Sequence, residues 1–313
     1  MSKNKIILTA VCDNEGRLIH KDMRLTIDHL VKSGFQTYSV FWRNIESGLV
    51  AKKVYDANND IVLENVNLNE ISNLFHLFEL GKIHSDLNKL ESLVKEFKNS
   101  YEGIMINNPD TILNNMNKDY LLRLQDKGVL IPGTYKISTS KSLDEIKNEF
   151  KTEEDFVIKP WNGETGNYVM KLSEFDEKAL TEVRKLTPYV LVQKYVPEIK
   201  EGEKSLIFFG DKFSHAVLKT PPDNSFLANM CRRSNVVSYN PTQKELELGF
   251  NISKIWDSPT NIYRLDLVSV KNNPVIIEVE MVNPGFFSEE SGKFNTYTKN
   301  LGQFYAKKLE NKL

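Results

Sequence analysis

The sequence predicts an α/β protein whose C-terminal part is α+β, and the order of its apolar runs is the main reason. Near the start, an apolar run at 6–11, a helical pattern at 21–33 and a second apolar run at 36–42 favour a parallel, doubly wound sheet. In the last third, apolar runs at 262–270 and 275–284 flank a short turn, which is typical of an antiparallel hairpin. The 313 residues suit two or three domain-sized units.

Composition argues against several other protein classes. The 41 Lys and Arg residues nearly balance 42 Asp and Glu residues, and a net charge of −1 argues against general nucleic-acid binding. Cys12 and Cys231 are too few and too distant in sequence for a disulfide framework or a Cys-based zinc site. The sequence contains neither a signal-peptide pattern nor an apolar run of roughly 20 residues. We therefore expect a cytoplasmic protein with no membrane and no nucleic-acid partner.

Residues 1–110 are predicted to form an N-terminal α/β domain. Gly34 ends the helix predicted at 21–33, and segment 68–97 shows the apolar spacing of a helix that Gly81 interrupts. The first strand is not followed by a Gly-x-Gly-x-x-Gly motif, so a dinucleotide site is not expected here. The predicted boundary falls in a turn-rich segment directly after a strand at 103–106.

A lysine stands at the start of the next predicted helix, at 118–126. Asn117 is a candidate N-cap, and Gly128 ends the helix. Lys118 lies where the helix already carries partial positive charge, and a bound phosphate would relieve that repulsion. The alternative is a side chain that extends into water, as most such lysines do.

A glycine-containing loop joins two short strands predicted at 156–160 and 168–172. Its central residues are Gly163, Glu164, Thr165 and Gly166. Because glycine permits close approach of the backbone, such a loop can place its N–H groups over a polyphosphate, and Lys159 at the end of the entering strand could contact phosphate oxygens. The alternative is an ordinary hairpin whose glycines have no ligand.

Three carboxylates interrupt the apolar hairpin near the end of the chain. Side chains alternate along a strand, so Glu278 and Glu280 point to one face, with Asp266 on the partner strand. Unpaired buried charge is unfavourable, and a hard cation such as Mg²⁺, which prefers oxygen ligands, would explain these residues. Asn283 belongs to the same candidate site. The alternative is that one or two of the carboxylates pair with Lys or Arg at a sheet edge.

The order of these pieces resembles that of the glutathione-synthetase-like ATP-grasp ligases, most clearly between residues 107 and 287. The segments that carry the resemblance are Asn117-Lys118, Val157-Ile-Lys-Pro160 with its Gly loop, Val192-Gln-Lys-Tyr-Val-Pro-Glu198, Gly202-Glu-Lys-Ser-Leu-Ile-Phe-Phe209 before a turn at Gly210-Asp211, and Glu278-Val-Glu-Met-Val-Asn-Pro284. The run 205–219 and the Glu-x-Glu pattern also resemble the branch that contains the cyclo-ligase of cycloserine biosynthesis.

The resemblance implies an ATP-grasp fold with three parts: a Rossmann-like pre-ATP-grasp domain at 1–110, a lid subdomain at 111–187 and a C-terminal ATP/Mg subdomain at 188–313. It also implies that Lys118 and Lys159 hold the ATP phosphates under the Gly loop, which acts as a mobile lid. Backbone groups of Gln193, Lys194, Tyr195 and Val196 would read adenine, and either Glu198 or Glu203 would hold the ribose. Asp266, Glu278 and Glu280 would bind two Mg²⁺ ions, with Mn²⁺ as a possible substitute, and Asn283 would be a further ligand or a substrate contact.

The chain departs from the family pattern around the substrate. Glu280 stands where glutathione synthetase usually has Asn, and Ser205 replaces an expected Arg. Arg232, rather than Arg233, is the candidate that would neutralise an acyl phosphate or hold a substrate carboxylate, and Lys219 is a second catalytic candidate. Two solvated loop arginines are the alternative.

The activity implied by the resemblance is ATP-dependent ligation of a carboxylate to an amine through an acyl phosphate, with release of ADP and phosphate. The expected partners are small-molecule carboxylate and amine substrates or a short peptide, and relatives suggest a possible homodimer. Two alternatives stay open: a ligase or cyclase that modifies a ribosomal peptide, and a non-catalytic nucleotide-binding regulatory protein. Two further helices are predicted at 241–254 and 296–310, and the second is expected to pack against the core.

Overall fold

The computed structural model describes residues 4–9, 21–78, 86–152, 154–163, 166–223, 225–227, 234–255 and 261–310. Within these residues the backbone forms three sheets, of seven, four and five strands. No helix in this part of the chain is both long and apolar enough to cross a membrane.

The first sheet combines four parallel strands with three strands that pair in antiparallel fashion, and helices pack on both of its faces. Its strands are β1 (Lys5–Thr9), β2 (Gln36–Val40), β3 (Ile45–Glu46), β4 (Val50–Tyr55), β5 (Ile61–Asn67), β6 (Leu74–His76) and β7 (Ile104–Ile106). Strands β2, β1, β6 and β7 are parallel neighbours in that order, and β4, β3 and β5 extend the sheet as antiparallel strands.

The helices of this region are α1 (Lys21–Lys32), α2 (Leu68–Ile71), α3 (Leu87–Ser100) and α4 (Pro109–Asn115). Strand alternation directs Ile6 and Leu8 towards α1, whereas Ile7 packs on the side of α3. Both faces of the strand are therefore buried, as expected for a doubly wound sheet.

Segment 68–97 differs from the interrupted helix that its spacing predicts, and that prediction is wrong. The segment contains α2, then strand β6, and later α3, while Gly81 lies outside the described residues. A short apolar run fits a helix face as well as a buried strand, so periodicity alone does not distinguish them. Parallel pairing of Leu74 with Ile6 on one side and Ile104 on the other makes this run a strand.

The second sheet has four strands in the order β10-β9-β11-β8. They are β8 (Thr134–Ser138), β9 (Phe156–Pro160), β10 (Met170–Lys171) and β11 (Tyr189–Lys194). Helices α6 (Leu143–Glu149) and α7 (Glu177–Leu186) pack on it through a shared apolar core. The strand predicted at 168–172 is shorter because Tyr168 has a positive φ of 55° and Leu172 begins a 3₁₀ turn.

Helix α5 (Asp119–Asp126) precedes the second sheet and begins one residue later than predicted. The N-cap is Lys118, which makes no side-chain capping bond, so the prediction of Asn117 at this position is one residue off. Asn117 lies just before it, and its Oδ1 accepts a hydrogen bond from the backbone N–H of Asp119 at 3.1 Å. Strand β11 lies beyond the predicted boundary at residue 187, yet it pairs with β8 and β9. The division into lid and C-terminal subdomains remains a prediction.

The third sheet is antiparallel, in the order β14-β13-β12-β15-β16. Its strands are β12 (Glu203–Phe209), β13 (Lys212–Thr220), β14 (Asn235–Tyr239), β15 (Ile262–Val270) and β16 (Asn273–Glu280). Both predicted hairpins are present, with two-residue turns at Gly210-Asp211 and Lys271-Asn272. Lys271 and Asn272 both have positive φ, which matches a tight hairpin turn, and Asn273 already belongs to β16.

Two helices complete the fold, α8 (Gln243–Ile255) and α9 (Phe294–Glu310), close to their predicted positions. Helix α9 connects the first and third sheets through one apolar core, which we call the α9 joint. Its members include Ile6, Leu8, Ile207, Phe209, Leu301, Phe304 and Tyr305. Tyr305 Oη lies 2.6 Å from His76 Nδ1, so a buried polar contact fixes the same joint.

Candidate active site

A cavity of about 300 Å³ lies between the second and third sheets, and charged side chains line it. One wall carries Lys159 of β9 and Lys118, which directly precedes α5. The wall from the third sheet carries Glu203, Lys219, Arg264, Asp266, Glu278 and Glu280. Lys194 lines the cavity as well, so its described lining includes four acidic and five basic residues.

Strand alternation creates the acidic wall. Glu278 and Glu280 are two residues apart on β16, with the buried Val279 between them, so both face the cavity. Asp266 pairs with Glu278, and Arg264 pairs with Glu280, across β15 and β16. The structure therefore brings the three predicted carboxylates to one face and places a guanidinium among them.

Lys118 bridges the Gly loop and the acidic wall. Its Nζ lies 2.9 Å from Glu278 Oε1 and donates a hydrogen bond to the carbonyl oxygen of Gly163 at 2.6 Å. Its side chain is only 11% exposed, so it does not extend into water. The backbone at Gly163 is also closely packed, since an added Cβ would lie 3.2 Å from the carbonyl oxygen of Pro160. A small residue is therefore favoured at this point of the loop.

Lys159 is held by a chain of amide and hydroxyl groups. Its Nζ donates to Gln193 Oε1 at 2.7 Å, and Gln193 Nε2 donates to Thr134 Oγ1 at 2.9 Å. Burial lowers the pKa of Lys159, although attraction by Glu278 opposes this effect. An anion beside Lys159 would stabilise its charged form.

The two glutamates of β16 differ in their electrostatic environment. Burial alone would raise the pKa of Glu278, but the attraction of Lys118 and Lys159 outweighs it and lowers the pKa. Burial and repulsion by Glu278 raise the pKa of Glu280 to about 7. Glu280 makes no hydrogen bond or ion pair within the described chain. Among the four carboxylates that line the cavity, Glu280 is therefore the one that forms no ion pair within the described residues.

Arg264 is a site residue that the sequence analysis missed. Its Nε lies 2.9 and 3.1 Å from the two carboxylate oxygens of Asp266, and its Nη2 donates to Oδ2 at 2.8 Å. Ser205 Oγ also donates to Asp266, and these interactions with a buried carboxylate hold its pKa at about 2 despite the opposing effect of burial. The available signal was the i, i+2 spacing of Arg264 and Asp266, which places both on one face of β15.

Lys219 lies on the same wall, beside Asp266. It forms an ion pair with Glu203, and its Nζ is 3.6 Å from Asp266 Oδ1. The ring of Phe287 lies against both cations of this region, with its centroid 5.3 Å from Lys219 Nζ and 5.4 Å from the guanidinium carbon of Arg264. Phe287 therefore makes cation–π contacts with both Lys219 and Arg264.

The other end of the cavity is apolar. Its lining side chains include Val157, Val169, Val196, Ile199, Phe226 and Ile277. The backbone N–H groups of Lys194 and Tyr195 donate to the carbonyl oxygens of Gly133 and Asp155, at 2.9 and 2.8 Å. A flat ring would find apolar contacts here, while its polar edge would need partners other than these two amides.

The remaining predicted site residues fall into two groups. Gly166, Glu203 and Asn283 line the cavity, whereas Glu198 lies in a 3₁₀ turn (Pro197–Glu201) and is not among the lining residues. Four predicted residues lie outside the described residues: Glu164, Thr165, Arg232 and Arg233.

The described residues contain no group of three or more His, Cys, Asp or Glu side chains arranged to hold a metal ion. Two of the predicted metal ligands form ion pairs instead, Asp266 with Arg264 and Glu278 with Lys118. Glu278, Glu280 and Asn283 still supply oxygen atoms on one wall. This donor set fits Mg²⁺, which is commonly bound by one or two carboxylates together with phosphate oxygens and water.

The sequence profile described as "Prokaryotic glutathione synthetase, ATP-grasp domain" matches residues 124–289. The glutathione synthetase of Rhodopseudomonas palustris is 27% identical over 151 residues, which are 46% of this chain and 46% of that protein. The chain thus spans about half the length of the curated relatives that it matches.

Solved structures resemble the whole chain. D-cycloserine synthetase DcsG has a TM-score of 0.72 at 18% identity, over 95% of this chain and 99% of that one. The ATP-grasp ligase PsnB, complexed with a phosphomimetic variant of its minimal precursor, Mg and ADP, has a TM-score of 0.64 at 10% identity, over 96% and 99% of the two chains. At these identities the likeness concerns the fold.

Proposed function

We propose, from the premise that this chain belongs to the prokaryotic glutathione synthetase ATP-grasp family, that it is an ATP-dependent, ADP-forming carboxylate–amine ligase. The observation that carries the proposal is the cavity in which Lys118 and Lys159 face Glu278 and Glu280. Lysines match phosphate oxygens, and adjacent carboxylates match a divalent cation, so a nucleoside triphosphate would use both walls.

The two ends of the cavity suit the two ends of ATP. The apolar end would take the adenine ring, and Lys118, Lys159 and the amides of the Gly loop would contact the phosphates. Glu203, which lines the cavity, is favoured over Glu198 as the partner of the ribose.

Glu278, Glu280 and Asn283 would hold Mg²⁺, or Mn²⁺ in its place. When bound, the metal neutralises charge on the phosphate oxygens. Glu280 supports this assignment because it makes no hydrogen bond or ion pair within the described chain, and burial together with repulsion by Glu278 raises its pKa to about 7.

The proposed reaction has two steps. A carboxylate oxygen of the first substrate attacks the terminal phosphorus of ATP, and the bond to ADP breaks, which yields an acyl phosphate. The amine nitrogen of the second substrate then attacks the acyl carbon, the bond to phosphate breaks, and the amine loses a proton. The chain contributes mainly position and positive charge, through Lys118, Lys159 and Lys219, with Arg232 as a further proposed contact.

The substrates are proposed to be small amino-acid-like molecules or a short peptide. A second cavity of about 40 Å³ lies next to the first and shares Lys118, Gly163, Glu278, Glu280 and Asn283 with it. Its other lining residues include Tyr120, Trp161 and Val282. Reacting groups that enter from this side would meet the phosphate end of the nucleotide.

A ligase that modifies a ribosomal peptide is the second candidate. Its support is the fold shared with PsnB, which has also been solved in complex with a precursor peptide. A regulatory protein without turnover is disfavoured, because both lysines and the β16 carboxylates face one cavity.

The test is ADP release from Mg²⁺-ATP in the presence of pooled amino acids, dipeptides and short peptides. We expect one pool to stimulate ADP release, and Lys159→Ala to reduce the stimulated rate at least about 100-fold, since each contact with transferring phosphate acts on the transition state. Lys212→Ala, which removes an exposed lysine from the start of β13, is the matched control and should retain the rate.

Stimulation only by peptide pools would favour the peptide-modifying ligase. ATP binding without ADP release in any pool would favour the regulatory protein. A chain that binds no ATP, although folded, would contradict the proposed site.

A further inference from the structure

Asp266 is saturated by protein donors. Three contacts from Arg264 involve both of its carboxylate oxygens, at 2.8 to 3.1 Å, and the hydroxyl of Ser205 donates to Oδ1. Lys219 Nζ adds a third positive or polar neighbour at 3.6 Å. A metal ion that used Asp266 as a ligand would have to displace donors that already satisfy the group.

The guanidinium of Arg264 is held in place on several sides. Its Nη1 is 3.5 Å from the carbonyl oxygen of Gly285, and a Cβ at Gly285 would lie 3.4 Å from that nitrogen. The ring of Phe287 makes a cation–π contact with the guanidinium, and the side chain of Arg264 is only 11% exposed. Rotation away from Asp266 would therefore need a rearrangement of the wall.

The position of Arg264 also places its charge among the carboxylates. It pairs with Glu280 across the hairpin and directly contacts Asp266. A divalent cation on Asp266 would lie beside a guanidinium that is only 11% exposed, and solvent would screen the repulsion between the two charges only weakly. Glu278 and Glu280 lie on the neighbouring strand and face the same cavity.

We propose that Arg264 is a built-in cation that takes the place of one of the two Mg²⁺ ions implied by the family resemblance. The chain then holds one divalent cation per nucleotide, on Glu278 and Glu280, and Asp266 positions Arg264 instead of binding metal. This inference rests on the proposed function, because it concerns the same nucleotide site.

The test measures the number of metal ions bound per nucleotide and does not depend on the rate of turnover. Mn²⁺ is titrated into the protein at saturating AMP-PNP, free Mn²⁺ is measured from its EPR signal, and bound AMP-PNP is measured by equilibrium dialysis. We expect one bound Mn²⁺ per bound AMP-PNP in the unmodified protein. Two bound ions per nucleotide would overturn the proposal, whatever the variants do.

Variants identify the role of the guanidinium. Arg264→Ala should raise the count to two, Arg264→Lys should keep it at one, and Arg264→Ala combined with Asp266→Asn should return it to one. Arg24→Ala, an exposed arginine on α1, is the matched control and should leave the count at one. A folded Arg264→Ala protein that still binds one ion would also overturn the proposal.

The same experiment separates this inference from the proposed function. If the folded protein binds no AMP-PNP, the nucleotide site itself is wrong. If AMP-PNP binds together with two Mn²⁺ ions, the site is right and only the role of Arg264 is wrong.

Discussion

The third sheet contacts its two neighbours in opposite ways. Towards the first sheet it forms the α9 joint, where Leu301, Phe304 and Tyr305 pack with apolar side chains of β1 and β12. Towards the second sheet it presents charged groups around a cavity, and Lys118 reaches across to Glu278. The α9 joint is a continuous apolar core, whereas the contact with the second sheet encloses a cavity lined by charged groups.

The difference separates stability from ligand binding. Removal of apolar surface from water stabilises the α9 joint, and each buried side chain there contributes to the free energy of unfolding. Buried charges contribute little net stability, because desolvation offsets their attraction. We therefore expect substitutions in the joint to lower stability, and substitutions in the cavity to lower ligand affinity.

Leu301→Ala is the largest expected effect and tests the joint. Leu301 is fully buried, and loss of its side chain should lower the free energy of unfolding by about 3 kcal/mol, measured by urea denaturation. ATP affinity of the folded protein should change less than about twofold, because the residue does not line the cavity. Val31→Ala on α1, which is 44% exposed, is the control, and equal losses in both variants would contradict the comparison.

Lys118→Met tests the cavity and should have an intermediate effect. Loss of a cation that faces phosphate should weaken nucleotide binding about 10- to 100-fold, or roughly 1.4 to 2.7 kcal/mol, measured by calorimetric titration. Stability should fall by only about 1 kcal/mol, because Glu278 is 30% exposed and Lys159 still attracts it. If nucleotide affinity is unchanged and the free energy of unfolding falls strongly, Lys118 contributes to stability, as Leu301 does, and not to nucleotide binding.

His76 gives a smaller, pH-dependent effect that belongs to the joint alone. Burial lowers its pKa from 6.5 to about 3, so the unfolded chain binds a proton below pH 6.5 that the folded chain excludes. Stability should therefore fall as the pH drops below about 6.5, by about 1.4 kcal/mol at pH 5.5 from this group.

His76→Gln removes this titration while it keeps a polar group near Tyr305. The free energy of unfolding of the variant should accordingly fall less between pH 7.5 and pH 5.5 than that of the unmodified protein. Identical pH profiles would show that the protonation of His76 does not affect the joint.

The sequence predicted the parts of the site that depend on local rules. Strand alternation is sufficient to place Glu278 and Glu280 on one face, and a lysine beside a glycine loop is sufficient to nominate Lys159. It did not predict that Lys118 would pair with Glu278, because the two residues are far apart in sequence and only tertiary packing brings them together.

Arg264 was missed for a related reason. Within an apolar strand an arginine can snorkel to an edge, and only the pairing with Asp266 and Glu280 shows that it faces the cavity. Strand β6 (Leu74–His76) was missed because it has only three residues. A segment this short shows too little periodicity to distinguish a strand from a helix. The contact of His76 with Tyr305 spans 229 positions in sequence, so no local pattern could reveal it.

Helix α9 imposes an order on biosynthesis. Its side chains cover faces of β1 and α1, which are synthesised before the other described elements, whereas α9 is synthesised after all of them. During translation those early apolar faces have no covering partner, and chaperones that bind exposed apolar segments would find a target there. The first strands of the chain reach their final environment only when α9 has been synthesised.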